Sequence, residues 1–142
     1  MSTINIDPEY LFYTGATFTV EWYRDAAGRM PAKVYYEALS EDEQKRLDDL
    51  AARLADSPIG TRLPKPLYNE ENSEHKIYAL KPGDHRFFNF MTMGRKIILV
   101  NAYRKHSQKM SKKDRRVLQI AIRARNDYLI RVQRGNYYDR IP

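Results

Sequence analysis

The alternation of apolar and polar residues predicts a strand in the first part of the chain. Phe18, Val20 and Trp22 alternate with less apolar residues, which is the period of a strand with one buried face. Pro31 then favours the first turn of a short helix that extends to about Leu39. The residues before this strand show no such period, so residues 1–16 are predicted to form an irregular arm.

The next segment has the pattern of a capped amphipathic helix. Ser40 and Glu43 have the spacing of a capping box, in which each side chain bonds the backbone N–H of the other residue. Apolar residues then recur on one face, and residues 58–60 end the helix. Those apolar residues are Leu47, Leu50, Ala51 and Leu54.

The second half of the chain predicts a β-meander followed by a helix. Strands are expected over residues 75–81, 85–93 and 96–104, with turns at Pro82-Gly83 and at Gly94. Ser111 can cap a last helix that continues to about Gln133. The predicted fold class is α+β: an antiparallel sheet of about four strands, a helical pair after the first strand and a C-terminal helix, with the helices on one sheet face.

Length and composition are those of one domain, divided into the arm, a core over residues 17–134 and a tail over residues 135–142. The tail is expected to fray, although docking on the sheet is the alternative. The 142 residues include no cysteine, which excludes disulfides and thiolate chemistry. No secretory signal is visible, and the longest apolar run, residues 97–100, is too short to span a bilayer. A cytoplasmic protein without membrane association is expected.

Charge is distributed unevenly along the chain. Residues 1–74 carry 8 Lys and Arg against 14 Asp and Glu, whereas residues 75–134 carry 16 against 3. Because a dense cationic region repels itself, it usually exists to bind a polyanion. Nucleic acid is the first candidate, an anionic protein the second and a membrane surface a weaker third.

The common catalytic motifs are missing from the sequence. There is no Gly-rich phosphate loop and no Ser or Cys nucleophile motif, and the three histidines share no metal-ligand spacing. No metal and no cofactor are therefore predicted.

Basic side chains interleaved with aromatic ones favour RNA as the polyanion, because cations neutralise phosphates and aromatic rings stack on bases. Metal-free cleavage of RNA needs a base for the ribose 2′-hydroxyl, cations for the pentacoordinate phosphate and an acid for the leaving oxygen. The candidate catalytic residues are Lys81, Arg86, Arg104, Lys105 and His106. The candidate RNA-binding residues are Lys76, Tyr78, His85, Lys109, Lys112, Lys113 and Arg115.

Three segments of the second half together resemble the RelE/ParE toxin superfamily, and most closely its phage-derived, HigB-like branch. They are Lys76 to Lys81, His85 to Phe88 and the apolar strand that ends in Tyr103-Arg104-Lys105-His106. Ala121 to Arg125 approximates the alanine and arginine motif of the last helix of that superfamily. The resemblance covers about residues 17–130 and depends on order and spacing, since each motif is short.

The resemblance implies a type II toxin that cleaves messenger RNA without metal, often on the ribosome, and that a cognate antitoxin silences. It implies that Arg86 stabilises the phosphorane and that Arg104 and Lys105 have acid/base and phosphate roles, with His106 as a possible proton donor. This chain departs from the superfamily at Ala79, which replaces a glutamate, and at Lys81, which replaces an arginine. Such a site requires the basic side chains of separate strands to meet in one concavity.

Two other functions remain open at this point. One is a non-catalytic binder on the same fold, either a gyrase inhibitor or a phage-derived regulator. The other is a plain RNA-binding module. Either toxin function predicts an antitoxin of the helix-turn-helix type, whose acidic or amphipathic segment lies across the cationic face.

Overall fold

In the computed structural model, which describes residues 8–138, three α-helices pack on one six-stranded mixed sheet. A 3-10 turn, Pro8–Tyr10, precedes the first strand. The strands are β1 (Leu11–Thr14), β2 (Thr19–Trp22), β3 (Tyr68–Asn72), β4 (Ile77–Leu80), β5 (His85–Thr92) and β6 (Lys96–Arg104). The helices are α1 (Pro31–Glu37), α2 (Glu41–Asp56) and α3 (Lys112–Gln133).

The strands are arranged in the order β1-β2-β6-β5-β4-β3, and β2 and β6 pair in parallel. The prediction of an antiparallel sheet of about four strands is therefore wrong in strand count and in one pairing. β1 lies inside the segment predicted to be irregular, and β3 is a polar stretch without alternation. Both are edge strands, which bury little apolar surface, so neither leaves a hydrophobic period in the sequence. The parallel pair arises because the chain passes through α1 and α2 and three further strands before it returns as β6.

Helices cover both faces of the sheet, contrary to the prediction of one covered face. Tyr35 of α1 packs against Phe87 of β5, which defines the helix-pair face. On the opposite face, here called the α3 face, Tyr128 of α3 packs against Phe90. The physical reason is that Ile97–Val100 of β6 are all buried, so apolar side chains on both sides of this strand need a cover.

The predicted helix starts are confirmed in atomic detail. The Glu43 N–H donates to Ser40 Oγ over 3.2 Å, and the Ser40 N–H donates to Glu43 Oε1 over 3.1 Å. Ser111 and Asp114 form the same capping box at the start of α3, with both distances 3.1 Å. The predicted end of α3 at Gln133 also agrees with the structure.

The part of the tail that the structure describes is docked rather than frayed. Tyr137 is buried, and its carbonyl accepts a hydrogen bond from the Tyr10 hydroxyl over 3.0 Å. The Tyr138 hydroxyl donates to Glu21 Oε1 over 2.6 Å. Residues 1–7 of the predicted arm and residues 139–142 of the tail lie outside the described residues.

Candidate functional site

The register of β5 and β6 divides the predicted catalytic residues between the two sheet faces. Arg86 lies opposite Tyr103, and His85 lies opposite Arg104. Because directly opposed residues share a face and successive residues alternate, Arg86 belongs to the α3 face and Arg104 to the helix-pair face. The expectation that Arg86 and Arg104 line one concavity is therefore wrong. For the same reason Arg104 and Lys105, neighbours at a strand end, point to opposite sides.

Three basic residues do meet on the α3 face: Lys81, Arg86 and Lys105, here called the cationic cluster. The backbone ladder extends to Lys105, whose N–H donates to the Asp84 carbonyl over 2.8 Å. Burial lowers the pKa of the Lys81 ammonium, and Arg86 and Lys105 lower it further, while Glu71 raises it. The Lys81 Nζ atom lies 4.0 Å from Glu71 Oε1. Lys81 is thus a lysine that gives up its proton more readily than a free one.

Arg86 is held at one end of its guanidinium, while its Nε has no hydrogen-bond partner in the described part of the chain. Its Nη1 donates to the Gly83 carbonyl over 2.8 Å and to the His85 carbonyl over 2.9 Å. Its Nε is buried and has no hydrogen-bond partner among residues 8–138. A buried N–H without an acceptor is costly, and a guanidinium is suited to bind anionic oxygen. The cluster therefore has the properties of an oxyanion site.

Tyr103 forms the floor of the cluster. It lies opposite Arg86 in the sheet, is buried and packs on Phe88 with ring centroids 5.5 Å apart. The pKa of Tyr103 is raised to about 12, mainly by burial, with smaller increases from Asp114 and Glu71 and a decrease from Arg86. The hydroxyl therefore stays protonated near neutrality and can donate a hydrogen bond.

His85 lies on the other face and is a structural connector rather than an RNA contact. It is buried, its Nδ1 lies 2.6 Å from the Tyr35 hydroxyl, and its Nε2 lies 2.6 Å from Glu43 Oε2. The hydrogen bond with His85 is the largest cause that lowers the pKa of Glu43 to about 2, and bonds with Ser40 add to it. Since both ring nitrogens are occupied, the predicted RNA-binding role of His85 has no support in the geometry.

The other predicted RNA-binding residues fall into two groups. Lys76 lies in the turn before β4. Tyr78 lies on the helix-pair face and stacks on Tyr68, with ring centroids 5.2 Å apart. Neither residue belongs to the cationic cluster. The second group is exposed and lies between the end of β6 and the first turn of α3, where Asp114 acts on the pKa of Tyr103. These residues are Lys109, Lys112, Lys113 and Arg115, and the predicted catalytic residue His106, which directly follows Lys105, is exposed as well.

Sequence reasoning did not assign a role to Glu71 or Lys65, both of which act on the pKa of Lys81. Glu71 belongs to the polar edge strand β3, and Lys65 to the loop before it. Neither segment carries a motif, so only the fold connects them to Lys81. Among residues 8–138 no three His, Asp or Glu side chains are grouped so that they could hold a metal ion.

Chemically, the cluster can bind a phosphate oxygen and exchange a proton beside it. Arg86 supplies an N–H donor, Lys105 adds charge and Lys81 can accept a proton when it is neutral.

Within residues 8–138, none of the helices has both the length and the apolar character needed to cross a bilayer.

The structure defines a small α+β protein with a basic cluster at one end of its sheet. Residues 35–124 match a family model described as "Phage derived protein Gp49-like (DUF891)". This match spans more than half of the chain, so the protein belongs to the Gp49-like family, a phage-derived, toxin-like family related to the RelE/ParE superfamily. No curated protein matches the chain.

Proposed function

We propose that this protein is the toxin of a type II toxin-antitoxin system and a metal-independent endoribonuclease of the HigB-like branch that cleaves messenger RNA on the ribosome. The observation that carries the proposal is the cationic cluster, in which Arg86 keeps an unpartnered buried Nε beside Lys81, whose pKa is lowered. Membership of a phage-derived, toxin-like family supports it. A cytoplasmic site of action follows from this substrate.

In this mechanism neutral Lys81 accepts the proton of the ribose 2′-hydroxyl, whose oxygen then attacks the adjacent phosphorus. Arg86 holds the charge that develops on the pentacoordinate phosphate. The bond to the 5′ oxygen breaks, and this oxygen takes a proton from Lys105, with exposed His106 as the alternative donor. The products are a 2′,3′-cyclic phosphate and a 5′-hydroxyl end. The basic residues at the start of α3 provide a path for the flanking phosphates.

A translation reaction with a reporter messenger RNA, with and without EDTA, tests the proposal. The wild-type protein should cleave the messenger equally in both, and Arg86→Ala should not cleave it. Arg134→Ala is the matched control, because Arg134 is an exposed arginine at the C-cap of α3, outside the cluster. An intact messenger with folded wild-type protein under both conditions would reject the proposed activity.

A non-catalytic function, as a gyrase inhibitor or a phage-derived regulator, is the second candidate. The observation that favours it is Ala79, which is fully buried and leaves no carboxylate where the superfamily has glutamate. Inhibition of DNA supercoiling by the protein, with messenger RNA left intact, would select this function over the first.

Under either toxin function, we propose that an antitoxin of the helix-turn-helix type binds this protein. Co-expression of the reading frame beside this gene should relieve growth arrest. Unrelieved arrest with every neighbouring frame would count against a type II system.

A further inference from the structure

A groove opens on the helix-pair face, on the side of the sheet opposite to the cationic cluster, with Lys65 at the edge that acts on Lys81. It has a volume of about 860 Å³ and is formed by the loop between α2 and β3, the strands β3 and β4, and the turn between β5 and β6. Its apolar lining comprises Phe18, Leu54, Ile59, Leu63, Met91 and Met93. Three of these are exposed: Ile59 by 63%, Met91 by 41% and Met93 by 98%. Exposed apolar residues gathered around one concavity are typical of a protein-binding surface.

The charges around the groove indicate what occupies it. Three of the four charged lining residues are basic, namely Arg62, Lys65 and Arg95, and the fourth is Glu70. Arg62 and Arg95 form no ion pair within residues 8–138. An apolar floor with unpaired cations at its rim complements a helix that has an apolar stripe flanked by carboxylates. Methionine suits this task, because its flexible side chain adapts to the helix it contacts.

We infer that this groove binds an acidic amphipathic helix of a partner protein. A second copy of this chain is a poor occupant, because each copy carries a net charge of +7. RNA is disfavoured because Ile59, Met91 and Met93 are the most exposed large apolar side chains of the lining, whereas its two tyrosines, Tyr68 and Tyr78, are half-buried and stack on each other. The identification of this partner as the antitoxin rests on the proposed function. The inference that the groove binds an acidic helix does not depend on that function.

The position of the groove determines how such a partner acts. Met91 and Arg86 lie five residues apart along β5 and on opposite faces, so about 17 Å of strand separates them. A helix at the Met91 end of the groove therefore lies far from Arg86, whereas Lys65 at the other end of the groove acts on Lys81. This location is an alternative to the expected position of the partner across the cationic face, and the binding experiment decides between the two.

A labelled synthetic helix of about 18 residues, with a leucine stripe and glutamate elsewhere, tests the inference by fluorescence anisotropy. Its counterpart with lysine in place of glutamate is the charge control. The acidic helix should bind at least about tenfold more tightly than the basic one. Ile59→Asp should weaken binding about tenfold or more, whereas Ile120→Asp, a comparably exposed isoleucine on α3, should not.

Arg86→Ala separates this inference from the proposed function. Binding of the acidic helix should survive this substitution, even though RNA cleavage should not. Binding that is lost in Arg86→Ala and kept in Ile59→Asp would place the helix on the cationic cluster and overturn the inference. So would an absence of binding by the acidic helix, or its displacement by a single-stranded RNA whose own affinity falls in Ile59→Asp.

Discussion

His85 and Arg86 are neighbours at the start of β5, yet their surroundings are opposite in character. His85 faces the helix pair, and both of its ring nitrogens have partners at 2.6 Å. Arg86 faces α3 beside two lysines and keeps a buried Nε without a partner in the described part of the chain. A buried polar group whose hydrogen bonds are all formed stabilises the fold. A cation beside other cations is repelled by them until an anion binds and neutralises the charge.

The same contrast holds for the helices on the two faces. α2 contains six acidic and three basic residues, whereas α3 contains two acidic and seven basic residues. The uneven charge along the chain therefore becomes an uneven charge across the sheet. The acidic helix contributes Glu43 to the bonds of His85, and the basic helix begins beside the cationic cluster.

Substitution of Arg86 should have the largest effect on function. We predict that Arg86→Ala lowers the rate of RNA cleavage on the order of 100-fold, because a positioned charged donor to the phosphorane is lost. The midpoint of thermal unfolding should not fall, since the substitution also reduces repulsion with Lys81 and Lys105. Single-turnover cleavage and a melting curve check both parts. A large drop in melting temperature would show that Arg86 is structural, like His85.

The converse substitution tests the other side. We predict that His85→Leu lowers the free energy of unfolding by about 2 kcal/mol, because the buried hydrogen bonds to Tyr35 and Glu43 are lost. Urea unfolding measures this change. At temperatures where the variant remains folded, RNA cleavage should be close to that of the wild-type protein. A stable but inactive variant would contradict the assignment of His85 to structure.

Acid should weaken the helix-pair side through Glu43. Its pKa is lowered from 4.5 to about 2 in the folded protein, so its contribution to stability is complete above the unfolded pKa. That contribution is lost as the pH falls from 4.5 towards 2. The difference in unfolding free energy between wild type and Glu43→Gln should therefore shrink over this interval in urea titrations. A difference that stays constant across it would refute the assignment.

The smallest expected effects come from Glu71 and Lys65, the two charged residues that act on the pKa of Lys81. Glu71 raises the pKa of Lys81 and Lys65 lowers it, so Glu71→Gln should move the rising limb of the pH–rate profile of RNA cleavage to lower pH. Lys65→Met should move the same limb to higher pH. Two shifts in the same direction, or none, would exclude Lys81 as the base.

The sequence predicted most of the elements, because their signals are local. Ser40, Glu43 and Ser111 mark helix starts by spacing alone, and the apolar run of β6 marks a central strand. It missed β1 and β3, whose stability comes from pairing at the sheet edges. Sequence reasoning also placed Arg86 and Arg104 in one site. Which basic residues share a face is determined by the cross-strand register, and this register depends on contacts between residues far apart in the chain. Glu71 reaches Lys81 across the pair formed by β3 and β4, which the polar sequence of β3 does not signal.

The parallel pairing of β2 with β6 has a consequence for how the protein is made. Val20 and Ile97 are partners 77 positions apart, so β1 and β2 cannot join the rest of the sheet until a long loop closes. Folding should therefore be slow for a chain of this size. It also means that neither the acidic half nor the basic half can complete the sheet by itself: each would expose an apolar edge that the other half normally covers.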